Sequence, residues 1–353
     1  MLIVTGREVR ALLDGAEGRI IDAVRRAYIT HARHDSALPH STFLTFPNNP
    51  HDRIIALPAY LGGGCNTAGV KWVASFPGNV ARGVERASAV VVLNSMETGR
   101  PRVVLEGSLI NAKRTAASAA LAALTLHEPF VERVAVIGCG VINFEVVRFL
   151  LASFPALACV VAYDLDPRRS KRFAEQCRQL PNPPDVRTAE DVDAALGAAP
   201  LISLATTATV PHIADLSACE PGATILHVSL RDLSPEAILS ATNVVDDVDH
   251  VLRAATSVHL AEQRTGHRDF IAGTLGDLLL GTLRLDDRES PAVFSPFGLG
   301  VLDVAVGSLV HDLARERGLG TVIGDFLPEP WDERVESPIA GHRTVHAGLN
   351  LQP

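Results

Sequence analysis

Residues 131 to 151 read VERVAVIGCGVINFEVVRFLL. An apolar run, a glycine turn and a second apolar run with helical spacing succeed one another, the order of a strand, a phosphate-binding turn and a helix. Gly138 permits the tight turn. Gly140 lets backbone N–H groups approach a pyrophosphate at the helix N-terminus, where the dipole favours negative charge. Val141 and Ile142 lie along the same turn. The third small residue of the usual pattern is replaced by Asn143. That position governs helix–strand packing rather than phosphate contact, so its expected cost is steric and a small shift of the helix absorbs it. A second apolar strand ends in Asp164, 21 residues after Asn143. A carboxylate there accepts hydrogen bonds from an adenosine ribose and repels a 2′-phosphate, which favours NAD. Arg168 and Arg169 keep NADP as the minor alternative, and an ordinary βαβ unit without cofactor competes for the same residues.

Downstream of this turn the rhythm stays strand, helix, strand. RVAVIG, CVVAYD, LISLAT, TILHVS and NVVDD are expected strands, with helices around 143–153, 168–179, 189–197 and 235–241 between them. Such alternation predicts a Rossmann-type doubly wound parallel α/β sheet. GLGVLDVAVGSLVHDLARERGLG, residues 298–320, predicts a closing helix, and the Pro-rich remainder, residues 331–353, an extended tail. Upstream, residues 6 to 34 predict two helices, and the stretch PHSTFLTFPNNPHD a loop. RIIALPAY, AGVKWVASF, ASAVVVLN and RPRVVLEG predict antiparallel hairpins, with METGRP as a turn between the last two. SLINAKRTAASAALAALTL predicts a long helix with Ser108 as its N-cap.

Composition narrows the class of protein. The 353 residues leave room for two domains, and a net charge of −8 argues against a nucleic-acid binder. No run reaches the roughly 18 apolar residues of a membrane helix. The opening MLIVTGREVRALLDG lacks the pattern of a signal peptide. Five dispersed cysteines with no C-x-x-C pair suggest reduced thiols and a cytoplasmic protein rather than a zinc site.

The segments GVKW, TGRP and above all KRTAA resemble the ornithine cyclodeaminase/μ-crystallin family, and the resemblance extends to about residue 322. DRIIALP, ERAS, IGCGVINFE and SPFG look most like its branch of NAD-dependent dehydrogenases acting on N-(2-amino-2-carboxyethyl)-L-glutamate. Two departures from the cyclodeaminase pattern point the same way: Ala56 and Leu57 stand where cyclodeaminases carry a Glu region, and Ser295–Gly298 where they carry D-S-T-G. The resemblance implies a β-rich substrate and dimerisation domain built from both chain ends (1–125 and 305–330), with the cofactor domain (126–304) inserted. It also implies a homodimer acting on a small amino-acid substrate.

Carried onto this chain, the resemblance makes Lys71 a substrate-binding and proton-shuttling lysine. Arg114 becomes the arginine between substrate carboxylate and cofactor, and Asp232 the catalytic aspartate. A substrate with three carboxylates needs several cations, and Arg53 and Arg86 are the next candidates, with solvated surface charge as the competing reading. A snorkelling strand lysine is the alternative for Lys71, and a helix cap is the alternative for Asp232, although Ser234 before Pro235 is the better cap. Burial and neighbouring cations are expected to lower the Lys71 pKa. Thr206 and Thr207 are expected on the nicotinamide side of the cofactor and Gly298 near the nicotinamide. His212 and His227 are read as structural. Asp246, Asp247 and Asp249 are read as a strand end entering a helix N-terminus rather than a metal site. Competing functions are cyclodeamination, reduction of an imine or 2-oxo acid, and a non-catalytic nucleotide-binding protein.

Overall fold

The computed structural model describes residues 1–285 and 289–328, so the expected tail lies outside the described residues. The chain opens with a short strand, β1 (Leu2–Val4), and two helices, α1 (Gly6–Leu13) and α2 (Glu17–Ala32). Six strands follow: β2 (Ser36–Ala37), β3 (Thr42–Phe46), β4 (Asn49–Leu61), β5 (Thr67–Ser75), β6 (Ala87–Asn94) and β7 (Pro101–Glu106). Helix α3 (Ser108–Leu126) then leads into β8 (Arg133–Ile137), α4 (Val141–Ser153), β9 (Cys159–Tyr163), α5 (Pro167–Cys177), β10 (Asp185–Thr188) and α6 (Val192–Leu196). Next come β11 (Leu201–Leu204), β12 (Thr224–His227), α7 (Pro235–Leu239), β13 (Thr242–Val245), α8 (Val248–Val251) and α9 (Ser257–Thr265). The last elements are β14 (Ile271–Thr274), α10 (Leu275–Leu280), β15 (Ala292–Ser295), α11 (Gly300–Glu316) and β16 (Thr321–Val322).

These strands form two sheets. The first has the order β16-β1-β7-β6-β5-β4-β2, with β3 also paired to β4, so strands from both chain ends meet in it. The run β4 to β7 is antiparallel, as the hairpin signals predict. The second sheet runs β10-β9-β8-β11-β12-β15-β13-β14 and is parallel at every pairing. Its order reverses beside β8, so the glycine turn sits at the crevice where such sheets bind ligands.

Three expectations about elements are corrected. The predicted loop before β4 contains β3, whose pairing with β4 closes over a turn at Pro47 and Asn48. Its period-2 pattern is hidden because the strand lies at the sheet's margin and is largely exposed. The parallel sheet also includes β10, β14 and β15, each too short to carry a periodic signal of its own. Ser108 is not the N-cap of α3; Gly107 is, and Ser108 is the first helical residue. The orphan N–H groups of that first turn are taken by Glu106, which accepts from Ser108 N at 2.7 Å and Leu109 N at 3.1 Å. A carboxylate from the preceding strand thus does the work of the expected cap.

Helix α3 packs against α2 and α4 and touches strands of both sheets. It is buried on nearly all sides, which explains its alanines: small side chains let neighbouring backbones approach. Lys113 in it ties the surrounding layers together through Asp14 at 3.0 Å and Glu145 at 3.4 Å. Helix α11 lies across β4, β5 and β6. Between this helix, α3 and the inner face of β5 lies the site.

Candidate active site

At the glycine turn, Gly138 has φ +92°, and a Cβ there would fall 2.5 Å from the Ala205 carbonyl oxygen, so the backbone excludes a side chain. A Cβ on Gly140 would meet only Arg169 Nη2, at 3.6 Å. That face is open for a phosphate, and the first N–H groups of α4 have no intrahelical partner. Val141 is exposed and Ile142 partly buried along the turn. Asp164 ends its strand beside the turn, where Oδ2 accepts from Cys139 N at 2.8 Å and Arg169 Nε at 3.1 Å. Turn, open helix end and strand-end carboxylate fit an adenine dinucleotide.

Asn143 does more than fill space. Its side-chain amide donates to the carbonyls of Ile137 at 3.0 Å and Gly138 at 2.7 Å, and its Oδ1 accepts from Ser203 Oγ at 2.7 Å. The expected steric cost at a packing contact is therefore replaced by a buried polar bridge between β8, α4 and β11.

The cationic half of the site is built on one face of the first sheet. Alternation along β5 sends Lys71 inward and Trp72 outward, so Lys71 is buried while Trp72 is 44% exposed. Lys71 Nζ lies 2.7 Å from Asp303 Oδ2 and donates to Asn111 Oδ1 at 2.8 Å. Arg114 Nε donates to Asp303 Oδ1 at 3.1 Å and its Nη2 to the same Asn111 oxygen at 2.8 Å. Two cations share one carboxylate and one amide, leaving one positive charge in excess within this buried group. Burial, reinforced by the Arg114 charge and opposed by Asp303, lowers the Lys71 pKa to about 8. Gly298 is packed against Arg114: a Cβ there would lie 2.9 Å from Nη1, and φ is +94°. Its N–H donates to Asp246 at 2.7 Å, and that of Phe297 does so at 2.8 Å. Burial pushes the Asp246 carboxyl up to about 6 against these N–H donors.

Arg53 lies on the same inner face as Lys71, since β4 and β5 pair Leu57 with Lys71 and Arg53 with Ser75. Ser75 in turn pairs with Ala87, which puts Arg86 at the next strand. The Nε atoms of Arg53 and Arg86 are buried without a hydrogen-bond partner. Burial, together with the Arg53 charge, lowers the Arg86 pKa.

Asp232 follows β12 and is fully enclosed. Thr206 Oγ1 donates to Oδ1 and Ser229 Oγ to Oδ2. His212 Nε2 lies 3.2 Å from Oδ1 and His227 Nε2 3.3 Å from Oδ2. Burial opposes ionisation of this carboxyl, but the His227 contact and the two hydroxyl donors outweigh it and hold the pKa far below the usual carboxylate range. Ser234, not Asp232, caps α7, accepting from Ala237 N at 3.0 Å. Thr206 is spent on Asp232, whereas the neighbouring Thr207 is exposed.

Several site residues escape the sequence reading. His212 and His227, read as structural, both contact Asp232. Asp303 and Asn111 escape notice because only tertiary packing brings α11 and α3 to β5; a lone acid inside GVLDVAVG is the one visible hint. Asp247 does cap α8, accepting from His250 N at 2.8 Å, as a helix-terminus acid should. No group of three or more His, Cys, Asp or Glu suited to a metal ion occurs among the described residues.

The chain matches the family model "Ornithine cyclodeaminase/mu-crystallin family" over residues 17–318. It is 30% identical over 311 residues to the N-((2S)-2-amino-2-carboxyethyl)-L-glutamate dehydrogenase of Staphylococcus aureus, covering 86% of this chain and 92% of that one. An archaeal alanine dehydrogenase dimer with bound NAD superposes with a TM-score of 0.83 at 26% identity, covering 92% of this chain and 99% of the other. For Delta(1)-pyrroline-2-carboxylate reductase of Thermococcus litoralis, in complex with NADH and L-proline, the TM-score is 0.86 at 23% identity, over 92% and 100% of the two chains, a likeness of fold. With the match spanning both sheets and the site between them, the chain belongs to the ornithine cyclodeaminase/mu-crystallin family.

Proposed function

We propose that the protein is an NAD-dependent oxidoreductase acting on a CH–NH bond. Its substrate is N-(2-amino-2-carboxyethyl)-L-glutamate, which it oxidises and hydrolyses to 2-oxoglutarate and L-2,3-diaminopropionate, a building block for siderophore or peptide natural products. The observation that carries this reading is the surplus of cations in the cleft: Lys71 and Arg114 share Asp303, and Arg53 and Arg86 lie beyond with unpartnered buried nitrogens. A substrate bearing three carboxylates matches that excess. The Staphylococcus aureus relative is named for this activity.

Gly138, Gly140, Val141, Ile142 and Asp164 hold the dinucleotide, with Arg114, Thr206, Thr207 and Gly298 toward its nicotinamide end. Bound NAD supplies the hydride acceptor. Lys71 and Arg114 grip the α-carboxylate of the glutamyl unit and so orient its Cα–H. Loss of hydride requires a neutral amine; the fraction of Lys71 that is neutral near its pKa of about 8 takes up the amine proton, while Arg114 keeps hold of the carboxylate. Water then adds to the imine carbon, the C–N bond breaks, and its electron pair leaves with the protonated amine. Asp232 stays ionised and acts with His212, the most exposed of its four partners, as acceptor for the proton of that water.

The enzyme works as a cytoplasmic homodimer. Trp72, Val90 and Leu44 lie on the outward face of the first sheet, 44%, 41% and 46% exposed, and register places them on one side. A second copy covering this apolar face removes it from water. Incubating enzyme, NAD and the aminocarboxyethyl-glutamate compound should give NADH and 2-oxoglutarate in equal amounts. Turnover of ornithine without net NADH, or absence of either product, would overturn the reading.

A further inference from the structure

One further guanidinium, beside Asp232, has no part in the reading above. Arg231 precedes Asp232 on the loop after β12, and so comes from the parallel sheet, whereas Arg53 and Arg86 come from the first sheet. Arg231 is close enough to Arg53 for their charges to repel: burial first, then Arg53, lowers its pKa, with Asp232 acting in the opposite direction. Asp232 is already engaged by Thr206, Ser229, His212 and His227. Among the described residues none of the three arginines forms an ion pair with a carboxylate, and the Nε atoms of Arg53 and Arg86 are buried without partners. Like charges gathered in a half-buried cleft destabilise the protein unless an anion joins them.

The loop holds Arg231 deliberately. Leu230 has φ +69°, an uncommon conformation for a branched side chain, and its carbonyl accepts from Ser257 N at 2.7 Å. Arg231 Nη2 donates to the Ala254 carbonyl at 2.7 Å, and Ala254 and Ala255 are themselves left-handed, with φ +55° and +51°. The hydrogen bond to Ala254 ties the guanidinium to this neighbouring turn.

We infer that Arg231 is a specificity-determining residue which, with Arg53 and Arg86, forms a subsite for a carboxylate of the substrate remote from the reacting carbon. Lys71 and Arg53 are four residues apart in register on one face of neighbouring strands, about 14 Å between Cα atoms at the usual strand rise and spacing. Two long side chains reaching inward from that separation suit an extended polycarboxylate and leave a small monocarboxylate amino acid touching only the Lys71–Arg114 end. The inference deepens the tricarboxylate reading above and rests on it.

The test compares wild type with Arg231→Leu and Arg231→Lys on three compounds. These are N-(2-amino-2-carboxyethyl)-L-glutamate and an analogue with 2-aminobutyrate in place of glutamate, which lacks the side-chain carboxylate; a second analogue built on ethylenediamine lacks the diaminopropionate carboxylate. Arg231→Leu should raise KM for the full substrate by about 30-fold or more, a larger change than any fall in kcat. It should leave KM for one of the two truncated analogues almost unmoved, and that analogue identifies the carboxylate held. Arg231→Lys should recover part of the loss, and NAD affinity serves as the control for folding. Equal losses on all three compounds, or none on the full substrate, would overturn the assignment. If wild type turns over none of them, the functional reading fails, and protection against thermal unfolding decides the subsite separately. Tricarballylate should then protect wild type more than butyrate does, and Arg231→Leu should lose that difference; no difference in wild type rules the subsite out.

Discussion

Asn143 spans β8, α4 and β11 with every polar atom of its side chain occupied and no exposure to solvent. Truncation to alanine leaves the Ser203 hydroxyl and the Gly138 carbonyl without this partner, whereas Ile137 O keeps Ala205 N, so Asn143→Ala should cost about 1–3 kcal/mol in chemical denaturation; an unchanged midpoint would show that water replaces the amide. Lys71 makes a prediction in pH. Its charged form exists below its pKa of about 8, so affinity for a carboxylate ligand should hold near neutrality and decline as pH rises through that value. The inhibition constant of glutarate measured across this range checks it, and the break should vanish in Lys71→Met. Asp232→Asn keeps the size of the side chain but removes the charge that Thr206, Ser229 and two histidines surround. Turnover should fall on the order of 10²-fold or more, with NAD binding, followed by fluorescence, retained.

Elements matter here through their ends and faces. The end of β9 delivers Asp164 to the glycine turn, and the first turn of α5 delivers Arg169, whose Nε donates to that carboxylate. On the proposed reading the pair would set cofactor choice: the acid would accept the ribose hydroxyls, and the arginine would be free for a 2′-phosphate if the acid were gone. Asp164→Ser should therefore weaken NAD by roughly 10- to 100-fold, the loss of a charge-assisted hydrogen bond, while use of NADP rises. Comparing kcat/KM for the two cofactors tests this, and a parallel loss for both would refute it. Helix α11 contributes differently. Asp303 is its buried acid, and without it Lys71 and Arg114 would have no shared counter-ion.

For the whole molecule, the first sheet separates two jobs by alternation alone. Odd positions of β5 face α11 and α3 and carry Lys71, while Trp72 looks outward, in register with Ala56 and Val90. If that outward face is where two copies meet, Trp72→Glu should shift sedimentation from dimer to monomer without unfolding the cofactor sheet. A variant that remains dimeric would place the interface elsewhere.

The cofactor half was legible in the sequence because its signals are local. A strand, two glycines and an acid one helix and one strand downstream act through backbone geometry within one βαβ unit. The antiparallel hairpins were legible for the same reason, since alternation and turn residues are short-range. Marginal strands such as β3 and the brief β14 and β15 were not, because pairing partners rather than their own periodicity make them strands. GVKW and KRTAA carry Lys71 and Arg114, but nothing local says that Asp303, far along the chain, bridges both. Nor does it say that His212 and His227 converge on Asp232. The sequence by itself determined the fold class and the groups available for chemistry. Tertiary structure alone decided how charge is shared among them, because burial strips away water and leaves each ionised group dependent on partners drawn from distant parts of the chain.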